Sequence, residues 1–263
     1  MSTPTTVRLS VVAPAHNEEA NLGPLVEEIV ASLEPLGPAY EIIIVDDGST
    51  DRTPDILSEL QQEYRTLRVL RMCDTPPGKG NGQSAAFHAG FRAARGEWIV
   101  TLDADLQNDP GDIPAMLARQ DETGADMVQG DRSQNRRDNL VRKISSWVGR
   151  VFRRTLLGDT ITDTGCSLRI MRREVALAIP LQFRGMHRFI PVTARKLGYN
   201  VVEIPVNHRP RTAGATKYGA WDRAVVGIYD CLAVRWMARR RTPVAYDVVT
   251  GESAGRASAR FKV

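Results

Sequence analysis

Cysteine is scarce in this 263-residue chain: Cys73, Cys166 and Cys231 stand far apart. Three thiols without metal-ligand spacing support neither a disulfide framework nor a zinc site, and a reducing compartment is expected. Long apolar runs are missing too. The best candidate, residues 224–234, contains Asp230 and falls short of the roughly 18 uninterrupted apolar residues a spanning helix needs, so no membrane crossing is expected. The first six residues carry neither a basic nor an apolar region of signal-peptide type. The expected location is therefore cytoplasmic, either free or peripheral on the cytoplasmic face of a membrane. Repeats and clear linkers are also lacking, and only the tail 242–263 is polar and Gly/Ser-rich enough to be expected disordered.

What is present is a 42% hydrophobic composition, enough to bury one sizeable core, and one domain over residues 1–240 is expected. The net charge of +4 is modest but unevenly spread. Carboxylates crowd residues 41–59 and 97–131, while Lys and Arg crowd 132–154 and 235–241. That asymmetry points to a divalent cation in one half and an anionic partner in the other, and a nucleic-acid partner is not expected.

Residues 7–13 and 41–45 are β-branched runs of strand length. Between them, Leu22, Leu25, Val26, Ile29, Val30 and Leu33 repeat at helical spacing over 21–36. Thr53 and Pro54 suit the N-cap and first position of a second helix. Strands are predicted at 67–72, 98–102 and 126–130, with helices at 83–95 and 113–121 between them. This alternation predicts an α/β fold with a mostly parallel sheet flanked by helices. A basic helix over 139–157, a strand at 167–171, a helix near 187–197 and a strand at 201–208 follow. An amphipathic helix over 221–241 is predicted from Trp221, Val225, Ile228, Leu232 and Trp236.

Ligands of such sheets bind beyond the carboxyl ends of the strands. Pro14-Ala15-His16-Asn17-Glu18, Asp46-Asp47-Gly48-Ser49 and Asp103-Ala104-Asp105 all fall at such ends. Asp103 and Asp105, with Gln107 nearby, offer hard oxygens to Mg²⁺ or Mn²⁺, which usually share their shell with phosphate and water. Gly48 permits a tight turn, leaving a carboxylate to accept from a base or ribose. An isolated Asp-x-Asp or Asp-Asp-Gly would more readily be an ordinary loop or turn, and only the context of the other clusters reverses that reading. Lys79-Gly80-Asn81-Gly82 has phosphate-cradle character but lacks P-loop spacing, and reads as a flexible loop near the nucleotide. The basic face over 139–157 is as well explained by solvation as by a ligand.

Taken in order, Pro14-Ala15-His16-Asn17-Glu18-Glu19, Asp46-Asp47-Gly48-Ser49, Asp103-Ala104-Asp105-Leu106-Gln107, Gly130-Asp131-Arg132, the run from Asp163 to Arg169 and the run from Arg211 to Tyr218 resemble glycosyltransferase family 2. The likeness is to its dolichol-phosphate mannosyltransferase and polyprenyl-phosphate glycosyltransferase branch, over about residues 8–240. The resemblance implies a GT-A type nucleotide-sugar-binding fold. It further implies that Pro14, Ala15, Asn17, Glu18, Asp46, Gly48, Gln83, Asp103, Ala104 and Asp105 bind the donor, a GDP- or UDP-linked sugar of the GDP-mannose or UDP-glucose type. Asp105 and Gln107 match metal ligands. Arg132, Arg142, Ser146 and Arg169 match groups that receive an acceptor phosphate, and Asp105, Arg211, Lys217 and Asp163 the catalytic set. Arg forks and a Lys point charge independently suit phosphate.

The reaction so implied is inverting transfer of a hexosyl group to polyprenyl or dolichyl phosphate, whose phosphate is already anionic and needs no strong base. Some relatives carry Asp where Cys166 stands, so Asp163 is left as the nearest carboxylate, read as positioning. Many relatives continue into transmembrane helices after about residue 240. Attachment here is therefore expected through a membrane surface, with the 219–241 helix at the interface, or through a membrane-anchored subunit. Docking of that helix on the protein's own core or on a second copy in a homo-oligomer stays open. Open too are a soluble saccharide acceptor, a non-catalytic nucleotide- or lipid-binding partner of a membrane subunit, and a nucleotidyltransferase, although the Gly-rich signature of the last is missing after Val12.

Overall fold

The computed structural model of the chain describes residues 7–37, 39–76, 78–133, 140–210 and 220–242, with the side chains of 140–148 and 220–225 outside the description. Strands β1 (Leu9–Ala15), β2 (Tyr40–Asp46), β3 (Leu67–Arg71), β4 (Trp98–Thr101), β5 (Met127–Asp131), β6 (Arg169–Arg172) and β7 (Val201–Pro205) form one sheet in the order β3-β2-β1-β4-β6-β5-β7. Only β6 runs antiparallel to its neighbours. Strand β1 has β2 on one side and β4 on the other, both parallel, so the order reverses there. Loops leaving β1 and β4 diverge from that point and open a crevice, the usual ligand position in such sheets.

The helices are α1 (Leu22–Leu33), α2 (Thr53–Glu63), α3 (Gln83–Ala93), α4 (Ile113–Thr123), α5 (Leu140–Leu157), α6 (Arg173–Ala178), α7 (Ile190–Lys196) and α8 (Ala220–Arg240). Because successive strand side chains point to opposite faces, the unbroken apolar runs of β1 and β2 feed two cores. Val11, Ala13, Ile42 and Ile44 pack with Leu25 and Ile29 of α1 on one face. Val12, Ile43 and Val45 pack with Phe87 and Phe91 of α3 on the other. Burial on both faces is what a parallel strand run demands.

Helix α3 reaches β1 so closely that a Cβ on Gly90 would stand 2.3 Å from Val12 Cγ1. Gly90→Ala is therefore expected to destabilise the fold, since overpacking costs about 1–3 kcal/mol and helix propensity returns only about 1 kcal/mol. A urea midpoint that stays level or rises would count against this packing.

A buried polar cluster ties the sheet together at its other edge. Glu41 accepts from Ser10 Oγ at 2.7 Å, from Arg95 N at 2.7 Å and from Arg68 Nη1 at 2.6 Å. Burial raises the Glu41 carboxyl, but these bonds and the Arg68 charge outweigh it and hold the group below the usual range. A carboxylate so fully occupied joins strands and has nothing left for a ligand.

Most predicted elements are found with shifted ends. Strand β1 extends through Pro14 and Ala15, and the helix predicted over 21–36 stops at Leu33, with Glu34–Leu36 as a 3₁₀ turn around Pro35. Thr53 is not the N-cap of α2: its hydroxyl accepts the Glu18 N–H at 2.9 Å instead. The strand expected at 167–171 is β6, with Ser167 and Leu168 before it, and the short α6 directly after it was not foreseen. The helix expected near 187–197 is a 3₁₀ turn, Met186–Phe189, followed by α7. The tail 242–263 lies outside the described residues from 243 onward.

Helix α8 corrects the amphipathic expectation. Cys231 and Val234 face the core, whereas Ile228, Leu232 and Trp236, the stripe read from the sequence, point outward together with Tyr229. Tyr229 is 74% and Trp236 63% exposed. The helix is thus apolar on two sides, and its own core does not cover the outer one. The side chains of Trp221 and Val225 lie outside the described residues. Among the described residues no helix is long and apolar enough to cross a membrane.

Candidate active site

At the carboxyl ends of β1 and β2 the two loops are stitched to each other. Asn17, in the left-handed region at φ 59°, donates its N–H to Ser49 Oγ at 2.9 Å and accepts from Thr50 N at 2.8 Å. His16 Nδ1 lies 2.8 Å from the Asp47 carbonyl, and Glu18 accepts from Asn21 Nδ2 at 2.6 Å. Asp46 is buried, accepts from Ser49 N at 2.9 Å and lies 3.5 Å from Arg71. Gly48 takes φ 72° and leaves no room for a Cβ beside Thr75. Pro14, Ala15, Asn17, Glu18, Asp46 and Gly48 are therefore brought to one edge, with Asp46 shaping the turn by its own hydrogen bonds.

The 79–82 loop is not the flexible connection expected. Asp47 accepts from Asn81 N at 2.8 Å and Gly82 N at 2.6 Å, and a Cβ on Gly80 would meet the same carboxylate at 2.6 Å. The N–H groups of Asn81 and Gly82 are spent on Asp47, which tethers the loop and delivers Gln83, the first residue of α3, to the crevice.

Beyond β4 the chain turns sharply. Leu106 is left-handed at φ 60°, an uncommon state for a branched side chain, and it separates Asp105 from Gln107. Asp105, 7% exposed, accepts the Gln107 N–H at 3.2 Å. Asp103 accepts from Gln83 Nε2 and, at 2.5 Å, from the Ser167 hydroxyl, while its N–H donates to Asn108 Oδ1 at 3.1 Å. Burial and then the Asp105 charge raise the Asp103 carboxyl, against the Ser167 bond and the charges of Arg169 and Arg132. The Gln107 carbonyl accepts from Arg209 N at 3.0 Å, Asn108 bridges His208, and Arg209 pairs with Asp109 at 2.9 Å and Glu28 at 2.6 Å. The segment leaving β7 is thereby fastened to the loop of Asp105 and Gln107.

A third wall comes from residues 159–169. Arg132 grips Asp163 with a fork, Nε to Oδ2 at 2.8 Å and Nη2 to Oδ1 at 3.2 Å. Burial opposes the Arg132 charge, but the bonds and charge of Asp163 prevail and raise its pKa. Gln129 Nε2 lies 3.0 Å from the carbonyls of Gly130 and Asp163 and 3.1 Å from that of Cys166. Glu203 accepts from Thr162 N at 2.8 Å. Arg153 of α5 is no solvated cation: it reaches Asp159 at 2.6 Å, Thr164 Oγ1 at 2.9 Å and the Ile161 carbonyl at 2.8 Å.

Arg169, expected on an acceptor phosphate, is instead buried, with Nε on Gln129 Oε1 at 2.8 Å and Nη2 on the Thr164 carbonyl at 3.1 Å. Burial lowers its pKa to about 10. Its observed work is to brace this loop from inside the sheet. Cys166 is also buried, and burial pushes its thiol up to about 11. It stays protonated at neutral pH and supplies no base.

A polar cavity of about 280 Å³ opens beside Asp103, between α3, the 164–169 segment and the 186–189 turn. On its wall His187 Nδ1 lies 2.8 Å from Ser84 Oγ, which also accepts the His187 N–H at 3.1 Å. Burial, with Arg188 and Arg169 adding, depresses the imidazole to about 3, so it is neutral at physiological pH. Neither Ser84 nor His187 was singled out from the sequence. They are 103 residues apart, and no local pattern links them. Of the sequence candidates, Arg211 and Lys217 lie outside the described residues, as do the side chains of Arg142 and Ser146.

Residues 10–179 match the family described as glycosyl transferase family 2. A dodecaprenyl-phosphate galacturonate synthase from Rhizobium johnstonii is 38% identical over 241 residues, covering 89% of this chain and 68% of that protein. An undecaprenyl-phosphate 4-deoxy-4-formamido-L-arabinose transferase from Salmonella paratyphi A is 37% identical over 223 residues, covering 85% and 66%. The chain thus spans about two thirds of their length. Among solved structures, a mannosyltransferase from Pyrobaculum calidifontis in complex with GDP-Man and Mn²⁺ superposes with a TM-score of 0.60 at 19% identity, covering 91% of this chain and 66% of that one. Glucosyl-3-phosphoglycerate synthase from Mycobacterium tuberculosis, in complex with phosphoglyceric acid, gives 0.60 at 20% identity, covering 92% and 83%. At these identities the likeness shows the fold, which is that of the GT-A glycosyltransferases. By the extent of the sequence match and the identity of its relatives, this chain is a glycosyltransferase and belongs to glycosyl transferase family 2.

Proposed function

We propose that the protein transfers a glycosyl group, with inversion, from a nucleoside-diphosphate sugar to a polyprenyl phosphate. One observation carries this reading: the Asp103–Gln107 loop, the Arg132–Asp163 pair and the segment leaving β7 meet at one crevice, through Ser167 and Arg209. That linkage holds the segment bearing hard oxygen donors next to the one bearing a guanidinium, as joining two anionic substrates requires. Relatives named for dodecaprenyl and undecaprenyl phosphate support the acceptor class. They act on sugars other than mannose, so the sugar is left as a hexosyl or pentosyl group.

The residues fit a divalent cation. Among the described residues no group of three His, Cys, Asp or Glu could hold one alone. Asp105 and the Gln107 side-chain oxygen form the short, hard donor set suited to Mg²⁺ or Mn²⁺, which keeps places for phosphate and water. Such an ion, when bound, neutralises charge on the departing nucleoside diphosphate. The chain's own residues do the rest. Asp103 is held by Gln83 and Ser167 toward the donor, and Arg132, oriented by Asp163, presents its remaining N–H groups to the acceptor phosphate. That phosphate is ionised at neutral pH, so the absence of a base at Cys166 is no obstacle. Arg211 and Lys217 follow two and eight residues after Arg209, which is bonded to Gln107; we assign them the donor diphosphate.

The outward stripe of α8, with Arg239 and Arg240 in its last turn, suits a membrane surface carrying the acceptor, aromatic rings at headgroup depth and guanidinium groups near anionic lipid. The decisive experiment incubates labelled UDP- and GDP-sugars with Mn²⁺ and either undecaprenyl phosphate in anionic vesicles or soluble saccharides. Label extractable with lipid is expected from at least one donor. Label that moves only to saccharides would replace the lipid acceptor with a soluble one.

A further inference from the structure

The cavity beside Asp103, about 280 Å³, lies at the low end of the roughly 300–1,000 Å³ of ordinary small-molecule sites, a size that suits one part of a nucleotide sugar. Gln83, Asp103, Ser167, Arg169, His187 and Arg188 line it, and among the described residues its lining is polar, with the His187 imidazole its one aromatic ring. A cation held by Asp105 and Gln107, as proposed above, would take the diphosphate. A hydroxyl-rich group adjoining the diphosphate is what this lining fits.

We propose that the cavity receives the transferred sugar of the donor, and that His187 reads one of its oxygens as a neutral Nε2–H donor, with Ser84 as the positioning residue that holds the ring. The inference rests on the nucleotide-sugar reading above. In the tautomer we assign, Ser84 Oγ accepts the His187 backbone N–H and donates its own hydrogen to Nδ1, which leaves the ring hydrogen on Nε2. With Nδ1 committed to Ser84, Nε2 is the edge the ring can offer to the cavity it lines. Both ends of the turn are fixed, because Met186 and Phe189 are buried and Gly185, at φ 85°, packs against the Asp230 carboxylate of α8. Buried among Arg169 and Arg188, the ring stays uncharged, so it discriminates by direction rather than by charge.

The test is isothermal titration with Mn²⁺ present, comparing UDP with UDP-glucose and UDP-galacturonic acid, and GDP with GDP-mannose. His187→Ala is expected to weaken binding of the sugar-bearing donor about 3- to 10-fold, the size of one neutral hydrogen bond, and to leave the bare nucleoside diphosphate unchanged. His187→Gln, with an amide nitrogen near the Nε2 position, is expected to recover most of the loss, and Ser84→Ala to show the same split at smaller size. If His187→Ala does not unfold cooperatively, Ser84→Ala and His187→Gln carry the comparison. Equal weakening of diphosphate and sugar donor, or no weakening of either, overturns the assignment alone. A wild type that binds no nucleotide overturns the donor reading and this inference with it.

Discussion

Asp105→Asn is expected to lower glycosyl transfer by about 10²–10³-fold, the scale seen when one group stabilising transition-state charge is removed. Asn keeps the size of the side chain and an oxygen that can still accept from Gln107 N, so the turn at Leu106 is expected to persist. What is lost is the negative charge that, in the proposed role, would hold a divalent cation at this buried position. The effect should therefore appear first as a demand for more Mn²⁺ or Mg²⁺, and only partly be recovered at saturation. Asp103→Asn is a useful contrast. Asp103 accepts from both Gln83 and Ser167, and an amide replaces one acceptor oxygen by a donor facing another donor. Its loss is expected to be structural and donor-linked, with little change in metal demand. Metal titrations of the initial rate, run beside thermal melts, separate the two. A wild-type rate and metal requirement in Asp105→Asn would remove Asp105 from the metal-binding role.

Much of this geometry was legible in the sequence, for a physical reason. Parallel strands buried on both faces read as unbroken apolar runs, and ligands lie where such strands end; topology alone therefore places Asp46 and the Asp103–Asp105 triplet. Short or antiparallel elements were harder. Strand β6 covers only Arg169–Arg172, begins with a buried guanidinium, and so carries no apolar run that would mark Arg169 as an interior residue. Arg153 looked like one of several surface cations on a basic helix because its partners, Asp159 and Thr164, lie beyond the helix end. Nor does periodicity tell which side of a two-sided apolar helix meets the core. On α8 the more regular stripe faces outward. Hydrogen-bonded pairs far apart in sequence, Ser84 with His187 and Asp103 with Ser167, leave no local trace at all.

The second large effect is expected at the Arg132–Asp163 pair. The two side chains are 12% and 13% exposed, and Asp163 also accepts from Gly165 N at 3.0 Å and Arg132 N at 3.3 Å. Removing one partner of a largely buried pair leaves the other without compensation, which costs about 3–5 kcal/mol when burial is complete. With this residual exposure, Asp163→Ala is expected to cost about 2–4 kcal/mol by the same reasoning, and Arg132→Ala a similar amount. Because each single change exposes the same broken contact, the double variant should lose clearly less than the sum, a coupling a double-mutant cycle in denaturant measures directly. Additive losses would mean the fork is not a stabilising pair. The functional consequence is separable by chemistry rather than by deletion. Arg132→Lys keeps the charge but not the planar fork, so on the proposed role a single ammonium would have to serve both Asp163 and the acceptor phosphate. The KM for polyprenyl phosphate is expected to rise about tenfold or more, as one charge-assisted hydrogen bond of about 1.5–3 kcal/mol weakens, while donor affinity holds. A rise in donor KM with acceptor KM unchanged would instead place Arg132 on the nucleotide side of the crevice.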